Sequence, residues 1–432
     1  MSLKVIRRFR VLFAPVFLLL LFHQAYSGTL DPTFGTGGKV TVDFPFAATY
    51  TSSGNYIFVQ PSGRIVAVGN HNQSGPDGNK PGVVMAGLTS SGTLDNTFGG
   101  GKMLDWQPNA WIGLSDAQML ADGKIMRLGQ FVQLFSTFSA RLYRMDANGS
   151  STGNFFPDLH VNDLQPIPVK FAVQSDGKIL VIITTGTSTS RFYLVRFNTD
   201  GSRDASFGTN GVKEISRISP MSDGGITGMQ LLPNGKILIA GRKNNFKELF
   251  LLRLDSDGNP DRSFGGLGLV RHNFGEQTFI ISDIIVQPDN KYLVSGSIST
   301  PDYDALLMRF TQRGKLDNGF GNAGVVITDF TPDGSDNFNS VKLTADGKII
   351  AVGAALTPPS TFSNFLVAKY SADGGLEANT QTGFTPSQHS NAANAAIQPD
   401  GKIVVIGSTR NPNSSVNGNV FAIARYTAIT ND

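Results

Sequence analysis

Residues 229–265 read MQLLPNGKILIAGRKNNFKELFLLRLDSDGNPDRSFG, and this stretch holds most of the unit from which the chain is built. A polar turn, Asn234-Gly235-Lys236, precedes the apolar run Ile237-Leu238-Ile239-Ala240-Gly241. A second run, Phe250-Leu251-Leu252-Arg253-Leu254, leads to a second turn, Asp261 to Phe264-Gly265. Asp-Gly or Asn-Gly between two β-rich runs is a strong hairpin signal, because the turn needs residues that tolerate φ > 0. The runs are apolar on both faces rather than alternating. Strands read that way when both faces of their sheet are covered.

The first turn recurs seven times, centred on positions 63, 123, 177, 235, 290, 347 and 401, at spacings of 54 to 60 residues. Strand-like runs follow it throughout, as in Ile65 to Gly69, Ile179 to Ile182, Ile349 to Gly353 and Ile403 to Gly407. The third run recurs as Tyr193 to Phe197, Leu306 to Phe310, Leu366 to Tyr370 and Ala422 to Tyr426. The second turn, Leu-Asp-x-x-Phe-Gly, recurs at Leu30–Gly35, Leu94–Gly99 and Leu316–Gly321, and is degraded near Thr152 and Glu377. A fourth strand closes each unit, as in Gly38 to Val42 and Gly324 to Ile327. Seven units of four strands predict an all-β, seven-bladed β-propeller; a superhelical β-solenoid is the competing architecture. The chain carries a spare fourth strand at Gly38 to Val42 and ends on a third strand at Tyr426. Pairing the two closes the ring and removes an exposed edge.

The combination of Gln-Pro-Asp-Gly-Lys-Ile at Gln398–Ile403, a recurrent Arg-Tyr/Phe and Leu-Asp-x-x-Phe-Gly resembles the delta-60 repeat family of secreted bacterial proteins, from about Leu30 to Tyr426. The resemblance implies a propeller-like fold and export. It implies no activity, because that family is largely uncharacterised.

Composition narrows the function classes. Charged residues make up 16 % of the chain, below the roughly 25 % of average soluble proteins. Net charge is +3, and Lys and Arg are scattered rather than gathered on one stripe, which argues against nucleic acid as partner. The chain has no cysteine, which excludes disulfides, thiol catalysis and thiolate metal sites. Lys4, Arg7, Arg8 and Arg10, then the apolar run Val11 to Phe22 and the small-residue site Ala25-Tyr26-Ser27, read as a signal peptide over residues 1–27. The expectation is a secreted protein, extracellular or periplasmic. Residues 28–432 would form a single propeller, monomeric and free of the membrane after cleavage.

Geometry then sorts the faces. With strands A to D running outward from the axis, both constant turns lie on one face, and the B–C loops and D–A crossovers lie on the other. The variable segments include 70–82, 130–139, 241–248, 354–364 and 408–418, so the variable face is the expected functional one. Seven residues before each first-turn centre lie Tyr56, Asp116, Lys170, Gly228, Asp283, Ser340 and Asn394. They are expected to ring the axis near the variable face. Asp116, Lys170, Asp283 and Tyr56 would there hold a polar ligand or hard cation, or else line a wet channel. Trp111 has no counterpart in other repeats. It is either core packing or a stacking platform for a sugar ring or a partner's side chain.

Other chemistry is thinner. The strand-C cations Arg144, Arg196, Arg253, Arg309, Lys369 and Arg425 recur once per repeat, which favours ion pairs with a repeated second-turn Asp over phosphate binding. Asp255-Ser256-Asp257-Gly258-Asn259 has calcium-loop character but lacks a distal Glu, so a plain turn is the simpler reading and no cofactor is expected. His71, His160, His272 and His389 sit in different repeats with no metal spacing. No phosphate loop, serine elbow or His-Glu-x-x-His is present. Three classes remain: a non-catalytic module binding a protein or carbohydrate, a hydrolase or lyase at the central mouth, and a purely structural surface protein.

Overall fold

The computed structural model describes residues 28–44, 49–75, 78–105, 110–133, 138–151, 159–161, 166–185, 191–216, 225–243, 245–300, 302–356, 358, 362–411 and 418–427. The expected signal segment lies outside them. The described chain forms seven antiparallel sheets and no helix. The innermost strands, A, are Thr49–Val59, Ala110–Met119, Ile167–Val173, Gly225–Leu231, Phe279–Val286, Ser335–Leu343 and Ser390–Ile397, and they number blades 1 to 7. Six sheets have four strands. The sheet of blade 2 has three among the described residues, and its degraded second turn near Thr152 lies outside them.

Blade 7 is completed by the chain's own beginning. Lys39–Val42 pairs antiparallel with Asn419–Tyr426, from Lys39↔Ala424 to Val42↔Phe421. The expected ring closure is therefore present.

The core is split into seven clusters, each shared by two neighbouring blades. Leu180 and Ile182 of blade 3 face blade 4, whereas Ile179, Val181 and Ile183 face blade 2. That is why the second-strand runs are apolar on both faces: successive side chains point to opposite sides of the sheet, and each side meets another blade.

On the constant face the expected ion pair recurs. Arg196–Asp204 (2.7 Å), Arg253–Asp261 (2.6 Å), Arg309–Asp317 (2.7 Å) and Arg425–Asp31 (2.9 Å) join the third strand to the second turn. The first-turn lysines Lys178, Lys236, Lys291 and Lys402 meet the same four carboxylates. Each guanidinium also lies over the second-turn Phe. Arg196 reaches the next blade as well, donating to Ser256 O (2.8 Å). Blade 6 keeps the motif in altered form, with Lys348 and Lys369 on Glu377. Blade 1 has Gly87 in place of the arginine. Its first-turn residue, Arg64, does the same work: it bonds Asp95 (2.6 Å), lies over Phe98 and donates to Ala147 O of blade 2 (2.8 Å). These cations hold the blades together.

One loop expectation changes. Segment 70–82 is mostly strand, because Ile65–Gly75 and Gly78–Leu88 continue pairing to Gly75↔Gly78. The ladder keeps satisfying backbone groups beyond the blade, so the chain has no need to break there.

Candidate functional site

The seven ring residues lie on the innermost strands, but midway along them rather than at the mouth. At each, the register with the second strand slips by one residue, so the residue before it is skipped: Asn55, Ser115, Val169, Thr227, Ser282, Asn339 or Ala393. These are seven β-bulges, one per blade, at one level of the axis. A bulge leaves backbone groups unpaired by the ladder and re-aims side chains. The channel beyond them encloses about 880 Å³.

Side chains of the ring take up the freed groups. Asp116 is buried, accepts Phe171 N–H of the next blade (3.1 Å) and pairs with Lys170 Nζ (3.3 Å). Lys170 also donates to Tyr56 OH (3.4 Å), and Tyr56 OH donates to Ser115 O (3.1 Å). Asp283 repeats the device three blades on, accepting Val341 N–H (3.1 Å) and Ser340 Oγ–H (2.9 Å), with Lys342 Nζ at 3.7 Å. Gly228 stands between the two groups and offers no side chain. Tyr56, Asp116 and Lys170 thus come together through hydrogen bonds, while Asp283 bonds its own partners and reaches Lys170 through its charge alone.

Burial pushes Asp116 up, against the pull of Lys170 and the Phe171 amide. Burial also pushes Tyr56 up, and the Asp116 charge adds to that. Burial would lower Lys170, but Asp116 and Tyr56, with the charge of Asp283, outweigh it and hold it above the usual lysine range. The cluster is a paired, hydrogen-bonded inter-blade clasp.

Trp111 lies elsewhere. It is the second residue of its strand, half exposed at 50 %, and lines a separate cleft of about 200 Å³ with Asn72, Pro81, Gly113, Gln130 and Val132. A large aromatic left half in water, beside two amide side chains, is not packed in the core.

The described histidines stay apart. His71 is buried and bonds Ser52 Oγ through Nδ1 (2.9 Å). His272 packs its edge on Phe274, and His389 Nδ1 accepts Ser363 N–H (3.2 Å). None of the four lines the channel. Asp255 closes its own turn, accepting the N–H groups of Asp257 (3.0 Å) and Asn259 (2.8 Å).

One acidic cluster matches no sequence motif. Asp304, Asp329 and Asp336 bring carboxylate oxygens within 4.8 Å of one another at the seam of blades 5 and 6. They are 25 and 7 residues apart in sequence and match no compact loop motif, so only folding gathers them. Oxygen-only donors of this kind suit a hard divalent cation. Burial pushes the Asp336 carboxyl up to about 6, and the charge of Asp329 adds to it. Its folded value exceeds its unfolded value, so this group's stabilisation is complete below about pH 4 and is lost as pH rises through 6. Asp336→Asn is expected to raise stability by about 1–2 kcal/mol at pH 8 and by almost nothing at pH 4. Urea melts at the two pH values check this; equal shifts at both would refute it.

The fold and its sites define a class: a seven-bladed β-propeller whose blades are sequence repeats. A family model described as "Domain of unknown function (DUF5122) beta-propeller" matches residues 60–98, 174–207, 232–264, 287–320 and 398–428, each a stretch spanning parts of one repeat. No curated protein matches the sequence. Among solved structures, the chain is similar to polysaccharide lyase Uly1 at 10 % identity and TM-score 0.48, over 95 % of this chain and 94 % of that one. It is similar to a PL25 ulvan lyase at 10 % identity and TM-score 0.48, over 87 % and 94 %. A third is prolyl oligopeptidase B from Galerina marginata, at 10 % identity and TM-score 0.43, over 83 % and 47 %. Likenesses this distant say nothing of activity.

Proposed function

We propose that this protein is an exported, non-catalytic binding module that takes a carbohydrate on its variable face, with Trp111 as stacking platform. The half-exposed Trp111 ring, flanked by Asn72 and Gln130 in its own cleft, carries this reading. A sugar ring presents C–H groups to an aromatic face and hydroxyls to amides at its rim. The channel supports a hydrolase less well. Its carboxylates Asp116 and Asp283 are spent on amides of the next blade, and no histidine lines it. Export rests on the basic, apolar and small-residue order of residues 4–27. The finer family assignment, to delta-60 repeats, rests on Gln398–Ile403 and the Leu-Asp-x-x-Phe-Gly turns.

The test is a glycan array with purified protein, run with and without calcium beside Trp111→Ala. A sugar ligand is expected, weakened about ten-fold or more by the substitution, the worth of one aromatic stack. An empty array, or a hit that Trp111→Ala leaves untouched, would end the carbohydrate reading at this cleft.

A further inference from the structure

A second cleft, of about 370 Å³, lies at the seam of blades 6 and 7, and its lining includes Lys39, Phe362, Asn364, Gly383, Phe384 and Gln388. We infer that it binds the carboxylate of an acidic sugar, a uronic-acid residue, with Lys39 as the cation.

The argument starts from repeat equivalence. Lys39 of the closing strand and Lys102 of blade 1 occupy the same position, opposite Ala424 and Ala86. Each donates to the carbonyl four positions along the outer strand of the preceding blade: Lys39 to Gly383 O (2.6 Å), Lys102 to Asp43 O (2.7 Å). At that carbonyl's position blade 7 has Asp43, blade 5 Asp329, blade 4 Asn273 and blade 3 Ser216, each with a polar side chain. Blade 6 has glycine. The missing side chain leaves space beside the ammonium, whereas the Asp43 side chain fills the corresponding place next to Lys102 and is bonded by Asn411.

Lys39 is half-buried and pairs with no carboxylate among the described residues. It lies 5.7 Å from the centre of the Phe384 ring, and among the described residues it is the one charged group in the cleft's lining. A partly desolvated cation in such a place favours an anion that completes its hydrogen bonds. The rest of the lining selects the body that carries the anion. Phe362 and Phe384 offer aromatic surface, and Asn364, Gln388 and Thr385 offer amides and a hydroxyl. That mixture suits a ring with apolar C–H groups and several hydroxyls. The volume falls within the roughly 300–1,000 Å³ of small-molecule sites.

The cleft is distinct from that of Trp111, so the two readings can fail separately. Digalacturonate is titrated calorimetrically into the purified protein, with neutral galactobiose and N-acetylphenylalanine as comparison ligands. Two variants remove the site in different ways. Lys39→Gln keeps a donor for Gly383 O and removes the charge. Gly383→Asp supplies the absent carboxylate from within. Its Cβ would meet only the Asn364 amide, at 2.8 Å from Oδ1, a side-chain end that can turn away, so the fold should survive. The expected result is digalacturonate binding that weakens at least ten-fold in Lys39→Gln, disappears in Gly383→Asp and persists in Trp111→Ala. Galactobiose should not compete. Absence of digalacturonate binding, or binding that both cleft variants retain, would overturn the site. Equal binding of N-acetylphenylalanine through Lys39 would overturn the assignment to a sugar.

Discussion

Asp31→Ala is expected to destabilise the protein by about 3–5 kcal/mol, the usual consequence of orphaning one member of a buried ion pair. Asp31 is buried and sits where the two ends of the chain meet. Its carboxylate accepts Arg425 Nε–H (2.9 Å) and faces Lys402 Nζ (3.2 Å), while Thr33 donates both its amide (2.9 Å) and its hydroxyl (2.7 Å) to it. Arg425 is equally buried, stacks over Phe34 and donates to Ser90 O of blade 1. Losing Asp31 strands that guanidinium beside neutral acceptors. The same clasp in other blades joins residues of one continuous repeat. Here alone it joins residues 394 apart, so it secures the ring as well as the blade.

Charge and pH separate this from a simple packing loss. Burial alone would raise Asp31, but Thr33, Lys402 and Arg425 together hold its carboxyl well below the usual carboxylate range. A depressed folded value stabilises above the unfolded value near 4 and is lost as pH falls further. The penalty of Asp31→Ala should therefore be full at pH 7 and shrink below pH 4. Asp31→Asn, which can keep the Thr33 bonds, should cost less than alanine. Urea unfolding at pH 7 and pH 3 measures all three. A loss under about 1 kcal/mol at pH 7 would mean that the strand ladder closes the ring unaided.

Gly296→Ala is expected to cost about 3 kcal/mol, at the upper end of overpacking penalties. A Cβ there would stand 1.8 Å from Ile280 O, a backbone atom beside the blade 5 bulge, so the sheet itself must move. The same crowding recurs at Gly353 against Asn337 O (1.9 Å) and Gly407 against Asn391 O (1.8 Å). Blade 3 has Ile183 at this position. Its inner strand begins at Ile167, the counterpart of the residue whose carbonyl does the crowding elsewhere. Gly266→Ala is the control, since a Cβ there meets nothing within 4 Å, and its cost should stay below about 0.5 kcal/mol. Equal melting shifts for the two variants would refute the bulge account.

Much of the architecture could be read from neighbouring residues. The two turns, the doubly apolar runs and the complementary chain ends led to seven blades and a closed ring. The arginine–aspartate pairing was legible because both partners recur at one spacing within a repeat. A glycine ending most second-strand runs was also visible, as at Gly69, Gly241, Gly353 and Gly407, but its purpose was not. It answers to a bulge on the adjoining strand, and a one-residue slip leaves no mark in composition. Arg64 standing in for the arginine lost at Gly87 was equally hidden, since one lies in the first turn and the other on the third strand, and only the contacts with Asp95 and blade 2 show the exchange.

The candidate sites divide along the same line. Turn chemistry and hydrophobic period act over a few residues, so blade count and strand order follow from the chain read locally. Which side chains meet across a seam depends on how two finished blades dock. Asp116 reaches Phe171 across 55 residues and Lys39 reaches Gly383 across 344, and no local preference encodes either contact. Folding alone therefore turned the axial polar residues into clasps, left Trp111 half in water and opened a cleft beside Lys39.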